Sequence, residues 1–129
     1  MATDPLSIVE AYLDARDAYD YEGARALLAN AGFQFASPIA RFDDADAFIA
    51  HAIATSGIIR QVERRKAFVD GHDVCHFLTY HIQISEKLAV PVAQWAQVID
   101  GHIRRIETLF DATPYSDLFP DRNATDGRT

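Results

Sequence analysis

The chain has 129 residues, 49% hydrophobic and 24% charged, the size and make-up of one ordinary globular domain. Its formal net charge of −7 repels a phosphate backbone, so no nucleic acid partner is expected. The opening residues lack the basic start and apolar run of a secretory signal, no stretch reaches the roughly 18 apolar residues of a membrane span, and the single cysteine, Cys75, excludes an internal disulfide. A cytoplasmic protein with no membrane contact fits these features.

Asp4-Pro5 opens the first expected helix, with Asp4 as cap and Pro5 at the first helical position. Ile8, Val9, Tyr12 and Leu13 then form one apolar stripe, and Glu10, Asp14 and Asp17 fall on the side expected to face water. That helix runs to about Ala18. Asp20 caps a second, shorter helix that turns Ala24, Leu27 and Leu28 inward, and Gly32 suits its left-handed stop. Phe33 to Ser37 alternate as a short strand ending at Pro38, and Ile39 to Phe42 read as a loop. Asp43-Asp44 start a third helix, with Ala47, Phe48, Ala52 and His51 as its inward residues and Ser56-Gly57 as its stop.

After Gly57 the period changes to two. Ile58 to Val69, Val74 to Ile84, Leu88 to Ile99 and His102 to Phe110 read as four long strands. The turns between them are Asp70 to Asp73, Ser85 to Lys87 and Asp100-Gly101. Pro91 cannot donate to a ladder, which implies a bulge or a free edge near the start of its strand. Arg60, Arg64, Arg65 and Lys66, interrupted by Glu63, read as a solvated strand edge or a subunit contact. Helices followed by an antiparallel meander make an α+β fold. Residues 1–122 are expected to form a single domain, and the polar, Gly-containing stretch 123–129 a disordered tail.

Several segments carry a resemblance in their order along the chain. Val9-Glu-Ala-Tyr12 is followed by Asp20-Tyr-Glu-Gly23-Ala-Arg-Ala-Leu27-Leu28, then Phe33-Gln-Phe35-Ala-Ser37-Pro38, then Ile99-Asp-Gly101-His-Ile103 and Leu109-Phe110. Over about residues 5 to 112 this resembles the nuclear-transport-factor-2-like superfamily, which includes ketosteroid isomerases and SnoaL-like polyketide cyclases. The resemblance implies a cone, in which three N-terminal helices close over a strongly curved antiparallel sheet, and a homodimer through that sheet. Tyr12 is similar in position to the isomerases' helix tyrosine. Their carboxylate base falls on Ser37 or Ala36 and their later acid near Trp95, so isomerisation by that mechanism is not expected.

Alternate residues of a strand share a face. The resemblance implies that Val74, His76, Leu78, Tyr80 and Ile82 face inward, with Trp95, Gln97 and Ile99 from the next strand and Arg104, Ile106, Thr108 and Phe110 from the last. His76 and Tyr12 are the catalytic candidates. An unperturbed histidine side chain changes charge near neutrality, so His76 could move a proton, or could be a neutral core histidine. Tyr12 could donate to a developing oxyanion, or bury its hydroxyl against backbone. Trp95, Gln97, Tyr80, Arg104, Thr108 and Phe110 are the ligand-binding candidates. Trp95 could stack on a flat ligand, or fill the core or a dimer contact. Gln97 needs partners if buried, from a ligand or from packing. Tyr80 could equally be core, and Arg104 could pair with a ligand carboxylate or sit at an open rim. The five histidines form no metal motif, and no phosphate loop or nucleophile elbow is present, so neither metal nor cofactor is expected.

The function expected is a pocket that binds a small, mostly apolar, oxygen-bearing molecule. If it is an enzyme, the chemistry is proton transfer, cyclisation or dehydration without a metal, the work of an isomerase, cyclase or dehydratase-like lyase. The alternatives are a non-catalytic ligand-binding module and a structural dimer whose pocket is filled by its own side chains.

Overall fold

The structure, a computed structural model, describes residues 4–83 and 87–113. Their order is α1 (Pro5–Asp17), α2 (Tyr21–Ala26), β1 (Gln34–Ala36), β2 (Arg41–Phe42), α3 (Ala45–Thr55), β3 (Ile59–Asp70), β4 (Asp73–Gln83), β5 (Lys87–Ile99) and β6 (His102–Leu109). The turn expected at Ser85-Glu86 and the tail at 123–129 lie outside the described residues. No helix among the described residues is long and apolar enough to cross a membrane.

Short acidic side chains start all three helices. The carboxylate of Asp4 accepts from the Ser7 amide at 3.1 Å, that of Asp20 from Gly23 at 2.9 Å, and that of Asp44 from Asp46 at 3.1 Å. Each satisfies a backbone donor that the helix itself cannot, a contribution of about 1 kcal/mol. The α1 stripe is buried as its spacing predicts, with Val9 fully inaccessible. A side chain of that kind contributes roughly 1.5–3 kcal/mol on burial. On α3 the spacing is corrected by one step: Ala45, Phe48, Ile49 and Ala52 are buried, whereas Ala47 is exposed.

The six strands form one curved, unclosed sheet in the order β2-β1-β6-β5-β4-β3. The helices pack on its inner face, which makes the α+β cone. Two details depart from expectation. Residues 39–42 are not all loop, because Arg41–Phe42 pair with Phe35 and Ala36. The sheet is not wholly antiparallel either, because β1 runs parallel to β6. The β5–β6 turn has positive φ at both Asp100 (53°) and Gly101 (79°). That geometry matches the twist of the flanking strands, and Asp-Gly supplies it at low strain. Pro91 lies beyond the last β5–β6 partner pair, Ala93 with Leu109, on a stretch paired to β4 alone.

The register of β4, β5 and β6 decides what faces the helices. His76 lies opposite Gln94, Gln94 opposite Thr108, and Ala96 between Val74 and Ile106; all are buried. Alternate residues emerge on the outer face, where Cys75 lies opposite Trp95 and Trp95 opposite Glu107.

Candidate functional site

The helices and the inner face enclose a chamber made of two adjoining hollows that share Tyr12, Arg16, Ile59, Tyr80 and Gln94. The more apolar hollow has walls of Phe35, Ile39, Phe48, Ala52, Ile58, Ile106 and Phe110, with His51, Thr55 and Thr108 among them. Its volume is about 80 Å³, several times the roughly 10–15 Å³ that one water requires.

Arg16, one turn beyond Tyr12 on α1, lines both hollows. Its Nη1 donates to the Tyr12 hydroxyl at 2.7 Å. Its guanidinium carbon stands 5.8 Å from the Tyr12 ring centre and 6.0 Å from that of Phe48, so two aromatic rings flank the cation. Burial works to lower the Arg16 pKa, but Tyr12, Tyr80 and Tyr21 outweigh it and hold the value above the usual arginine range. Arg16 therefore stays charged. His51 lies across the hollow, its ring 5.1 Å from that of Phe42. Burial first and the Arg16 charge second hold the His51 pKa below its ordinary 6.5, so its imidazole is neutral at pH 7.

Of the residues singled out from the sequence, Tyr12, Tyr80, Thr108 and Phe110 line this chamber. His76 faces inward but lies under α1, outside the chamber wall. Its Nε2–H donates to a Glu10 carboxylate oxygen at 2.6 Å, and its Nδ1 is buried without a partner among the described residues. Glu10 reaches the sheet with one carboxylate oxygen while its side chain stays 39% exposed, as its place on the water-facing side predicts.

Three residues fall elsewhere. Trp95 and Gln97 lie on the outer face, because β5 buries Val90, Val92, Gln94, Ala96 and Val98 and sends the intervening residues out. There the Trp95 indole N–H donates to Asp73 at 2.8 Å, and Gln97 reaches the same oxygen at 3.5 Å. The Arg105 guanidinium stacks over the indole at 5.0 Å. Arg104 occupies a β-bulge: Gln97 pairs with Arg105 and Val98 with Ile103, which leaves Arg104 unpaired and exposed, its guanidinium packed toward Gly32.

Arg16 and Gln94 are chamber residues that sequence reasoning passed over, and His51 was read only as facing inward. Arg16 follows Tyr12 at i+4 on the buried stripe, a signal present in the sequence. Gln94 is the one polar residue in the run Val90-x-Val92-x-Gln94-x-Ala96-x-Val98, and its amide nitrogen is buried without a partner among the described residues.

No protein-family model matches the chain, and no curated protein matches it. Solved structures do. A Kribbella flavida protein is 25% identical, with a TM-score of 0.78 over 96% of this chain and 99% of that one. An NTF2-like protein of unknown function from Cytophaga hutchinsonii is 16% identical, with a TM-score of 0.76 over 88% and 96%. An LEH-like epoxide hydrolase from M. tuberculosis is 21% identical, with a TM-score of 0.75 over 86% and 85%.

Proposed function

We propose that this chain, which has the nuclear-transport-factor-2-like fold, binds a small, mostly apolar, oxygen-bearing molecule in the chamber between α1, α3 and the inner sheet face. The observation that carries this reading is the make-up of the wall. Phenylalanine and isoleucine side chains surround a few convergent polar groups, Tyr12, Arg16, His51, Gln94 and Thr108, which is the composition of a small-molecule pocket. The open volume favours a binding site over a cavity filled by its own side chains. The similar M. tuberculosis protein, described as an epoxide hydrolase, shows that the fold can house small-molecule chemistry.

If the bound molecule reacts, the chemistry is proton transfer near a carbonyl. Tyr12 and Arg16 would stabilise developing negative charge on oxygen, because both present donors in a largely apolar enclosure. His51 is the base best placed for the proton, since it is neutral and lies in the wall. His76 would act on the ligand only through neighbouring groups. The exposed Phe68 and Phe77 rings, 5.8 Å apart on the outer face, support a homodimer through the sheet. Light scattering that returned a monomer would remove the dimer alone.

The binding reading is tested with small cyclic ketones and alcohols observed by ligand-detected NMR. Saturable binding is expected to the native chain. Thr108→Phe, which fills the chamber floor, is expected to weaken it by about tenfold or more, the loss of roughly 1.4 kcal/mol. Equal binding by a folded Thr108→Phe protein would place the ligand elsewhere.

A further inference from the structure

We infer that the chamber's natural ligand carries a carboxylate, held by Arg16 and Tyr12. This rests on the chamber being a binding site and adds the chemical class of what enters it.

The argument begins with a contrast on one helix. α1 presents Glu10, Asp14 and Asp17, and the chain as a whole carries seven more acidic than basic side chains. Those three carboxylates all approach Arg64 of β3, at 3.5, 2.7 and 3.0 Å. Glu10 also accepts from His76. Among the described residues none forms an ion pair with Arg16, although it lies on the same helix and deeper in the protein. Asp17 borders the chamber, but its carboxylate is engaged by Arg64.

Arg16 is half-buried, and a guanidinium partly withdrawn from water gains most when an anion meets it. Arg16 has one hydrogen bond to Tyr12 and two flanking aromatic rings, and these leave most of its five N–H groups available. Tyr12 accepts from Arg16, so its own proton is free to donate. Two donors thus converge on one spot in the wall. His51, neutral across the hollow, contributes no competing positive charge.

The shape of the donor set selects among anions. A planar guanidinium matches the two oxygens of a carboxylate. One cation among phenylalanine and isoleucine side chains balances a monoanion, whereas a phosphate dianion would bring a second charge into apolar walls. The apolar hollow then takes the hydrocarbon part, and its volume of about 80 Å³ limits that part to a small ring or short chain.

The test uses isothermal titration of the full chain with matched probes: benzoate against benzamide, and cyclohexanecarboxylate against cyclohexanecarboxamide. The carboxylates are expected to bind at least tenfold more tightly, with affinity falling as salt is added. Arg16→Met is expected to abolish that preference, so that carboxylate and matched amide bind within about threefold of one another. The native chain alone decides the main question, so a variant that fails to fold does not obscure it. Amides or neutral ketones that bind as well as the carboxylates would overturn the carboxylate and leave the pocket standing. Absence of binding by every probe, charged or neutral, would overturn both.

Discussion

The two faces of β4 and β5 are built from alternate residues of the same strands, yet they do different things. The inner face carries His76, Leu78, Gln94 and Ala96, all nearly inaccessible, and closes over a chamber whose apolar hollow is lined by one arginine, Arg16, among the described residues. The outer face carries Cys75, Phe77, Trp95 and Gln97, where polar atoms find protein partners at the surface and rings remain open to solvent. Because the side-chain period is two, one step of register separates a chamber wall from a surface. The same contrast holds for charge. Arg64 at the sheet edge is surrounded by carboxylates, and Arg16 in the chamber pairs with none among the described residues.

The largest effect expected from this contrast lies in neighbouring residues of β4. Leu78→Ala removes an inner side chain from packed surroundings and is expected to cost about 2–5 kcal/mol. Phe77→Ala, one residue away on the outer face, is expected to stay within about 0.5 kcal/mol in a monomeric preparation. Urea unfolding of both variants measures the difference, and similar losses would mean the faces are wrongly assigned.

A smaller effect separates the two partners of Glu10. Glu10→Ala leaves the buried His76 ring without its hydrogen bond and is expected to cost roughly 1–3 kcal/mol. Arg64→Ala breaks only partly exposed ion pairs, so a loss of at most about 1 kcal/mol is expected, shrinking as salt rises. Chemical denaturation at two ionic strengths checks both.

The smallest effect is a pH dependence. Burial and Arg16 lower the His51 pKa in the folded chain, so on acidification the unfolded chain takes up the proton first. The stability His51 contributes is complete above its ordinary 6.5 and is lost as pH falls through the lowered folded value. His51→Gln is therefore expected to flatten the fall in urea midpoint between pH 7 and 5. An unchanged slope would remove His51 from the account.

Much of the architecture was legible in the sequence. Aspartates before each helix, the change from helical to strand period after Gly57, and the Asp100-Gly101 turn all encode local geometry, and the elements follow them closely. The inner residues of β4 were legible because His76 and Tyr80 sit in a strongly apolar alternation. The face of β5 was misjudged because Trp95 is its largest side chain, while the burial signal is spread over the small residues Val90, Val92, Ala96 and Val98. A tryptophan between Gln94 and Ala96 can pack under an arginine at the surface, as Trp95 does under Arg105. The bulge at Arg104 is set by pairing between distant strands and leaves no local mark. Arg16 was legible by spacing, but its lack of a carboxylate is a tertiary fact: Asp14 and Asp17 are near it in sequence and turn to Arg64 instead.

The most direct test is a crystal structure of the full chain grown with cyclohexanecarboxylate. The account predicts the ring among Phe35, Phe48 and Ile106, with the carboxylate about 2.7–2.9 Å from the Arg16 guanidinium and within reach of the Tyr12 hydroxyl. A chamber collapsed on its own side chains, or a ligand seated on the outer face beside Trp95, would contradict it.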